Sequence, residues 1–126
     1  MKMMSKFLDK SYSFRNMDGN RYVVSIENHA EIVSSLTEFC NEIGIRSGSI
    51  CGIGAIDRMT LRFFAPATKE YVDKEFTEQM EIANLTGNIS TLDGEEYLHL
   101  HIVAGYIIRS MTTQFHGPKS SDYFVE

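Results

Sequence analysis

The sequence has few cysteines and no long hydrophobic run. Cys40 and Cys51 are its only cysteines, and their spacing fits neither a CxxC motif nor a disulfide scaffold. No apolar run approaches the roughly 18 residues that a membrane-spanning helix needs. The first ten residues include three lysines but lack the apolar segment of a secretory signal. These absences exclude disulfide-rich secreted proteins and helical membrane proteins, and they predict a cytoplasmic protein with free thiols.

Basic charge is scarce beyond the N-terminal arm, residues 1–22. That arm has five Lys and Arg against two Asp, a net charge of +3, whereas residues 23–126 have seven basic against fifteen acidic residues, a net charge of −8. Contacts between basic side chains and phosphate supply most of the non-specific affinity for nucleic acid. An acidic body is therefore poorly suited to bind DNA, and only the N-terminal arm could contribute.

Nucleotide-binding motifs are also missing. The segment Gly52-Ile53-Gly54 lacks the third glycine of a dinucleotide fingerprint, and no phosphate-binding GxxxxGK[ST] loop occurs. The length of 126 residues, with 43% hydrophobic and 23% charged residues, is that of one ordinary globular domain.

One helix is clearly encoded. Apolar residues recur from Ile32 at i, i+1, i+4, i+7, i+8 and i+11, which places them on one stripe of an amphipathic helix. We expect Asn28 to cap its N-terminus, with Glu31 in the capping-box position, and Gly44 to end it. The predicted helix runs from about residue 29 to residue 43.

The remaining pattern predicts strands. Pro66 marks one hairpin loop, Asp93-Gly94 is a strong signal for another, and Gly52 and Gly54 within a strand predict a bulge or a close backbone approach. The predicted fold is α+β, an antiparallel or mixed sheet with a flanking amphipathic helix in a single domain, residues 1–126. The predicted strands are 21–27, 47–56, 58–64, 70–76, 79–90 and 96–104.

Two histidines lie close together on the last predicted strand. Strand alternation puts Leu98 and Leu100 on the core face and His99 and His101 on the other. Their Cα atoms would lie about 6.5–7 Å apart, so both imidazoles could reach one divalent ion. The alternative is that they form the polar face of a half-buried sheet. Zinc also needs three or four protein ligands, so two histidines are an incomplete site.

Other residues could complete a site. His116 and His29 are candidates for a third metal ligand, and Cys51 is a weaker one because we expect it to be buried. A nucleophilic pair of Cys51 and His99 would need an orienting third group. A bound zinc ion, or another divalent transition metal, could instead activate water between subunits, although no general base is evident.

Several short motifs resemble the PPC domain, a small domain found alone in prokaryotic proteins and with AT-hooks in plant nuclear proteins. The resemblance covers about residues 20–105. The motifs are Gly52-Ile-Gly-Ala55, Met80-Glu-Ile82, Leu85-Thr-Gly-Asn-Ile-Ser90, Asp93-Gly94 and Leu98-His-Leu-His101.

The resemblance implies a PPC-like fold, a homotrimer and a histidine cluster that binds a zinc-like metal, with His99 and His101 matching the family's strand. It also implies an association with DNA and transcription. The chain lacks the Arg-Gly-Arg-Pro core of an AT-hook, so we expect any contact with DNA to be weak or indirect.

The C-terminal segment departs from the family pattern. Family members continue into a Gly-Gly-His-Leu motif and further strands, whereas residues 106–126 form an atypical tail with little strand alternation after Ile108. This departure predicts a truncation or a shifted reading frame, and an exposed sheet edge. His116 is the candidate replacement for the missing histidine.

We therefore expect an oligomeric PPC-like protein, DNA-associated or regulatory, with a metal site on His99, His101 and His116. The alternative is a metal-dependent hydrolase with its active site at a subunit interface.

Overall fold

A computed structural model describes residues 10–106, 119–120 and 124–125 of the chain. These residues form mostly antiparallel strands and one helix. The helix is α1 (Ile32–Ile43). The strands are β1 (Tyr12–Asp18), β2 (Arg21–Ile26), β3 (Gly48–Ile56), β4 (Met59–Ala65), β5 (Glu70–Phe76), β6 (Met80–Leu92), β7 (Glu95–Tyr106), β8 (Lys119–Ser120) and β9 (Phe124–Val125).

The described strands form three sheets. β1 pairs with β2, the second sheet has the order β7-β6-β3-β8, and the third has the order β5-β4-β9. All pairs are antiparallel except β3 with β8 and β4 with β9, which are parallel. β8 and β9 lie in the tail, where the sequence shows little alternation. Strands of two residues are recognised by their pairing with β3 and β4. The alternation of residues along a sequence does not show such pairing.

Both predicted hairpins and the predicted bulge are present. β4 and β5 pair across the loop that contains Pro66, and β6 and β7 pair across Asp93-Gly94. Asp93 and Gly94 both have positive φ, at 53° and 83°, as a type I′ turn requires. The register of β3 against β6 shifts between Gly52 and Gly54, which confirms the bulge.

The helix begins later than predicted. Its N-cap is Glu31, whose carboxylate accepts hydrogen bonds from the backbone N–H groups of Val33 at 2.6 Å and Ser34 at 2.9 Å. The predicted cap at Asn28 is wrong because His29 has a φ of 69°, in the left-handed region that a right-handed helix cannot include. The predicted C-terminal glycine is confirmed: Gly44 has a φ of 84°, and its N–H donates to the Cys40 carbonyl.

The N-terminal arm is partly folded, which the sequence prediction missed. β1 pairs with β2 along its length, and Tyr12 at its start is 4% exposed. The other residues of β1 are exposed. Its apolar alternation covers only Tyr12 and Phe14 before Asn16 interrupts it, which is too short to indicate a strand. Residues 1–22 are therefore not a free basic arm throughout.

The core lies between α1 and one face of the sheets. The predicted core face of β7 is confirmed, because Leu100 is 3% exposed and Leu98 packs against the same residues. Two adjoining clusters of buried residues make up the core, one with Ile32, Leu36, Ile56, Met59, Met80, Ile82, Leu85 and Leu100, the other with Tyr12, Phe39, Cys40 and Ile89.

No helix in the described segments has the length and apolar character that a membrane span requires.

Candidate metal site on the polar sheet face

The face of the β3–β6–β7 sheet that points away from the core carries mostly small polar side chains and the two histidines. His99 pairs with Asn88, which pairs with Ser49; His101 pairs with Thr86, which pairs with Cys51. Directly paired residues of antiparallel strands point to the same side of a sheet. All six are exposed except His99, which is half-buried. We call this set the polar sheet face: Ser49, Cys51, Thr86, Asn88, His99 and His101.

The two imidazoles are in contact. The Nε2 atoms of His99 and His101 lie 3.1 Å apart, and the ring centroids are 5.0 Å apart with the planes inclined by 42°. Two nitrogens bound to the same tetrahedral zinc at 2.0–2.1 Å are separated by about 3.3 Å. The same distance suits a hydrogen bond in which one neutral ring donates to the other. The pair therefore has the geometry of two ligands of one ion, and neighbouring imidazoles can also adopt it without metal.

Gly87 brings β6 and β7 together beneath the histidines. A Cβ atom on Gly87 would overlap the carbonyl oxygen of His99 and crowd the side chain of Leu100. Only glycine allows this approach of the two backbones. The role of Gly87 was not predicted, although its place in the motif Leu85-Thr-Gly-Asn-Ile-Ser90 marked the segment as distinctive.

Among the described residues, no third metal ligand accompanies His99 and His101. Residues 10–106 and the two short tail strands contain no group of three His, Cys, Asp or Glu side chains able to hold a metal ion. His29 is exposed, with Nδ1 4.0 Å from Asp57 Oδ2. His116 lies outside the described residues, so its predicted role is not tested.

Cys51 is exposed, so the expectation that it is buried was wrong. Alternation along β3 turns Ile50 towards the core and Cys51 towards the polar sheet face. Across β6, Cys51 is aligned with His101 rather than with His99. Because β6 lies between β3 and β7, the Cα atoms of Cys51 and His101 are roughly 9.5–10 Å apart. This placement does not support the Cys51–His99 nucleophilic pair.

Some basic side chains are paired with carboxylates, and others are exposed on the β1–β2 hairpin. Arg15 and Arg21 are exposed on the β1–β2 hairpin, whereas Lys10 bonds Glu42 at 2.9 Å. On the β4–β5 hairpin, Arg62 donates two hydrogen bonds to Asp73, and this contact lowers the pKa of that carboxyl. The β1–β2 hairpin is therefore the described part of the N-terminal arm where free-standing basic side chains could meet phosphate.

Comparison with known families gives one match. The model of the Plants and Prokaryotes Conserved (PCC) domain, also written PPC, matches residues 15–111, well over half of the chain. Among curated proteins, none matches the sequence significantly.

Solved structures similar to this chain include one from a bacterium and two from archaea. A "putative DNA binding protein" from Bacteroides thetaiotaomicron is 61% identical, with a TM-score of 0.73, and the match covers 76% of this chain and 66% of that one. A metal-containing protein from Archaeoglobus fulgidus is 29% identical, with a TM-score of 0.58, over 76% of this chain and 62% of that one. A plant- and prokaryote-conserved protein from Pyrococcus horikoshii is 26% identical, with a TM-score of 0.59, over 71% and 67%. The chain spans just under two thirds of the first two structures.

Proposed function

Because this chain belongs to the Plants and Prokaryotes Conserved domain family, we propose that it is an oligomeric, DNA-associated regulatory protein that holds a divalent transition metal at His99 and His101. The observation that carries the metal proposal is the 3.1 Å separation of the two Nε2 atoms on an accessible sheet face. The family match and the name of the relative from Bacteroides thetaiotaomicron support the wider role.

Imidazole nitrogen is a donor that suits zinc, copper and nickel. His99 and His101 would supply two ligands, and the third would come from His116 or from another subunit. The relative from Archaeoglobus fulgidus is named as metal-containing and shares 29% identity with this chain, which supports the proposal. A bound ion with an open position would supply Lewis-acid chemistry.

A binding role is favoured over hydrolysis. The residues paired with the two histidines are Asn88 and Thr86, an amide and a hydroxyl, whereas a hydrolase of this type needs a general base such as a carboxylate beside the metal. We therefore assign the metal a structural or regulatory role.

Metal binding is tested on purified full-length protein after removal of metal with a chelator. Zinc affinity is measured by isothermal titration calorimetry for the wild type, His99→Ala, His101→Ala and, as a control, His29→Ala. We expect a loss of more than about tenfold in the first two variants and no change in the control. Equal affinity in all four proteins would overturn the metal proposal.

Association with DNA is tested through its dependence on salt. The relative at 61% identity is named as a putative DNA-binding protein, and the exposed Arg15 and Arg21 are the described basic residues of the N-terminal arm best placed for phosphate. Deleting residues 1–22 would be a poor test, because it removes the buried Tyr12 and the whole of β1. Substitution of exposed side chains leaves the hairpin in place.

We expect Arg15→Ala with Arg21→Ala to reduce the slope of log affinity against log salt by about 1.8, or 0.9 for each lost phosphate contact. The matched control, Lys69→Ala with Lys74→Ala, removes two exposed charges from the β4–β5 hairpin, and we expect it to leave the slope unchanged. If the two double variants behave alike, direct binding through the β1–β2 hairpin is rejected.

A further inference from the structure

Among the strands that the structure describes, none pairs with the second edge of β7. Within the described residues its only strand partner is β6, because β8 and β9, which follow it in sequence, pair with β3 and β4 instead. The N–H and C=O groups along such an edge can pair with a strand from another chain. This edge also holds His99 and His101, whose metal site is incomplete in the described part of one chain.

We propose that two copies of this chain pair through their β7 edges, antiparallel and with Leu100 opposite Leu100, so that the four imidazoles bind one zinc ion. This inference rests on the proposed metal binding by His99 and His101. It adds the identity of the missing ligands, namely the same two histidines of the second copy.

The register follows from the ligand geometry. With Leu100 opposite Leu100, His99 lies opposite His101 of the second copy on both sides of the centre. Opposed Cβ atoms are about 4.5–5.5 Å apart, which is within imidazole reach of a common ion. Tetrahedral zinc takes four ligands, and two chains supply four. If the centre of the pairing moved by one residue, only one pair of histidines would lie opposite each other. If it moved by two residues, no histidines would.

The flanking residues are compatible with this register. Glu95 faces Gly105 of the second copy, so the acidic start of β7 meets a residue without charge. Tyr97 faces Val103 of the second copy, and Val103 is 63% exposed in the single chain. Pairing would cover the Val103 side chain with the ring of Tyr97. Cross-strand pairs of an aromatic and a β-branched residue stabilise a sheet.

The first test is titration of zinc into metal-free, full-length protein, with the mass followed by size-exclusion chromatography and light scattering. We expect the mass to double at about half an equivalent of zinc per chain, and to return to its starting value with chelator. If the metal-free protein is the trimer that the family resemblance implies, the doubling leads to a hexamer.

The second test examines the register. Gly105 has open space around its Cβ position, so a side chain is tolerated there. Gly105→Glu would oppose Glu95 of the second copy with a like charge, whereas Gly105→Lys would pair with it. Two symmetry-related pairs change in each variant. In the presence of zinc, we expect the association of two copies to weaken roughly 2- to 30-fold in Gly105→Glu and to strengthen in Gly105→Lys.

A control accounts for effects within one chain. Gly105 also pairs with Glu81 of β6 in the same chain, so both substitutions alter a local charge pair. Unfolding of each variant in chelator measures that local effect, which is separate from the zinc-dependent change in mass.

The outcomes separate the two proposals. One zinc per chain without a change in mass would retain the metal function and overturn the pairing of two copies. No zinc binding would overturn both. A doubled mass that responds equally to glutamate and lysine at Gly105 would overturn the proposed register, and opposite responses would support it.

Discussion

The backbone carbonyl oxygen of His99 occupies the space in which a side chain on Gly87 would begin. Gly87 lies on β6 between Thr86 and Asn88, the residues that pair with His101 and His99. The close approach of the two strands therefore lies directly under the histidine pair. It ties the position of both imidazoles to a residue that carries no functional group.

Substitution of Gly87 is expected to harm both stability and metal binding. The added methyl of Gly87→Ala meets a backbone oxygen, which cannot rotate away, so β6 and β7 must separate. We expect a loss of roughly 1–3 kcal/mol in the free energy of unfolding, measured by urea denaturation. Gly105→Ala is the control, because its Cβ would meet nothing within 4 Å, and its effect should stay within about 0.5 kcal/mol. Similar losses in the two variants would contradict the role given to Gly87.

The two cysteines should differ in reactivity. Cys40 is 1% exposed, and burial is the main cause that raises the pKa of its thiol, whereas Cys51 is exposed. Alkylation proceeds through the thiolate and needs access. We expect iodoacetamide to label native protein at Cys51 at least about tenfold faster than at Cys40, as read by peptide mass spectrometry.

Two observations check this assignment. Cys51→Ser should remain almost unlabelled until denaturant is added, at which point Cys40 reacts. Fast labelling of Cys40 in the native protein would show that the cluster around Phe39 opens readily.

Acid should remove the contribution of the Glu42 carboxylate to the stability of the folded protein. The Tyr12 hydroxyl donates to its carboxylate, and Lys10 lies 2.9 Å from Oε2; both contacts lower the pKa of Glu42, with the Tyr12 hydrogen bond the larger cause. A carboxyl with a lowered pKa in the folded state stabilises the protein above its unfolded pKa of about 4.3, and this contribution is lost as pH falls through the folded pKa.

Glu42→Gln keeps an oxygen acceptor for Tyr12 and removes the charge. We expect it to lower the free energy of unfolding at pH 7 by up to about 1 kcal/mol, and this difference from the wild type to shrink as the pH falls through the folded pKa of Glu42. Glu70→Gln, at the exposed start of β5, is the control for the loss of a surface carboxylate. A difference for Glu42→Gln that stays constant at every pH down to acid unfolding would rule out the charge as its origin.

Elements with strong local signals were predicted well. The strand around Arg21–Ile26, the hairpin at Asp93-Gly94 and the helix end at Gly44 depend on residues within one turn or one strand, and the structure has all three. The errors lie where distant contacts decide. β1 pairs with β2, and its Tyr12 packs against Phe39 of the helix; no pattern within β1 shows that contact.

The candidate site was predicted in part for the same reason. The spacing of His99 and His101 is enough to place both on one face, because side chains alternate along any strand. Their contact through Nε2 and the exposure of Cys51 depend on pairing with β6 and β3. The third ligand stays a prediction, since His116 lies outside the described residues.

By itself, the sequence determined the α+β class, the core face of β7, the family resemblance and the side-by-side placement of the two histidines. Periodicity and turn chemistry act over a few residues, so they can be read without a structure. Only the tertiary structure decided that β6 is the one described strand paired with β7 and that Gly87 must lack a side chain. Both depend on which strands meet, and residues far apart in the chain settle that through packing and hydrogen-bond register.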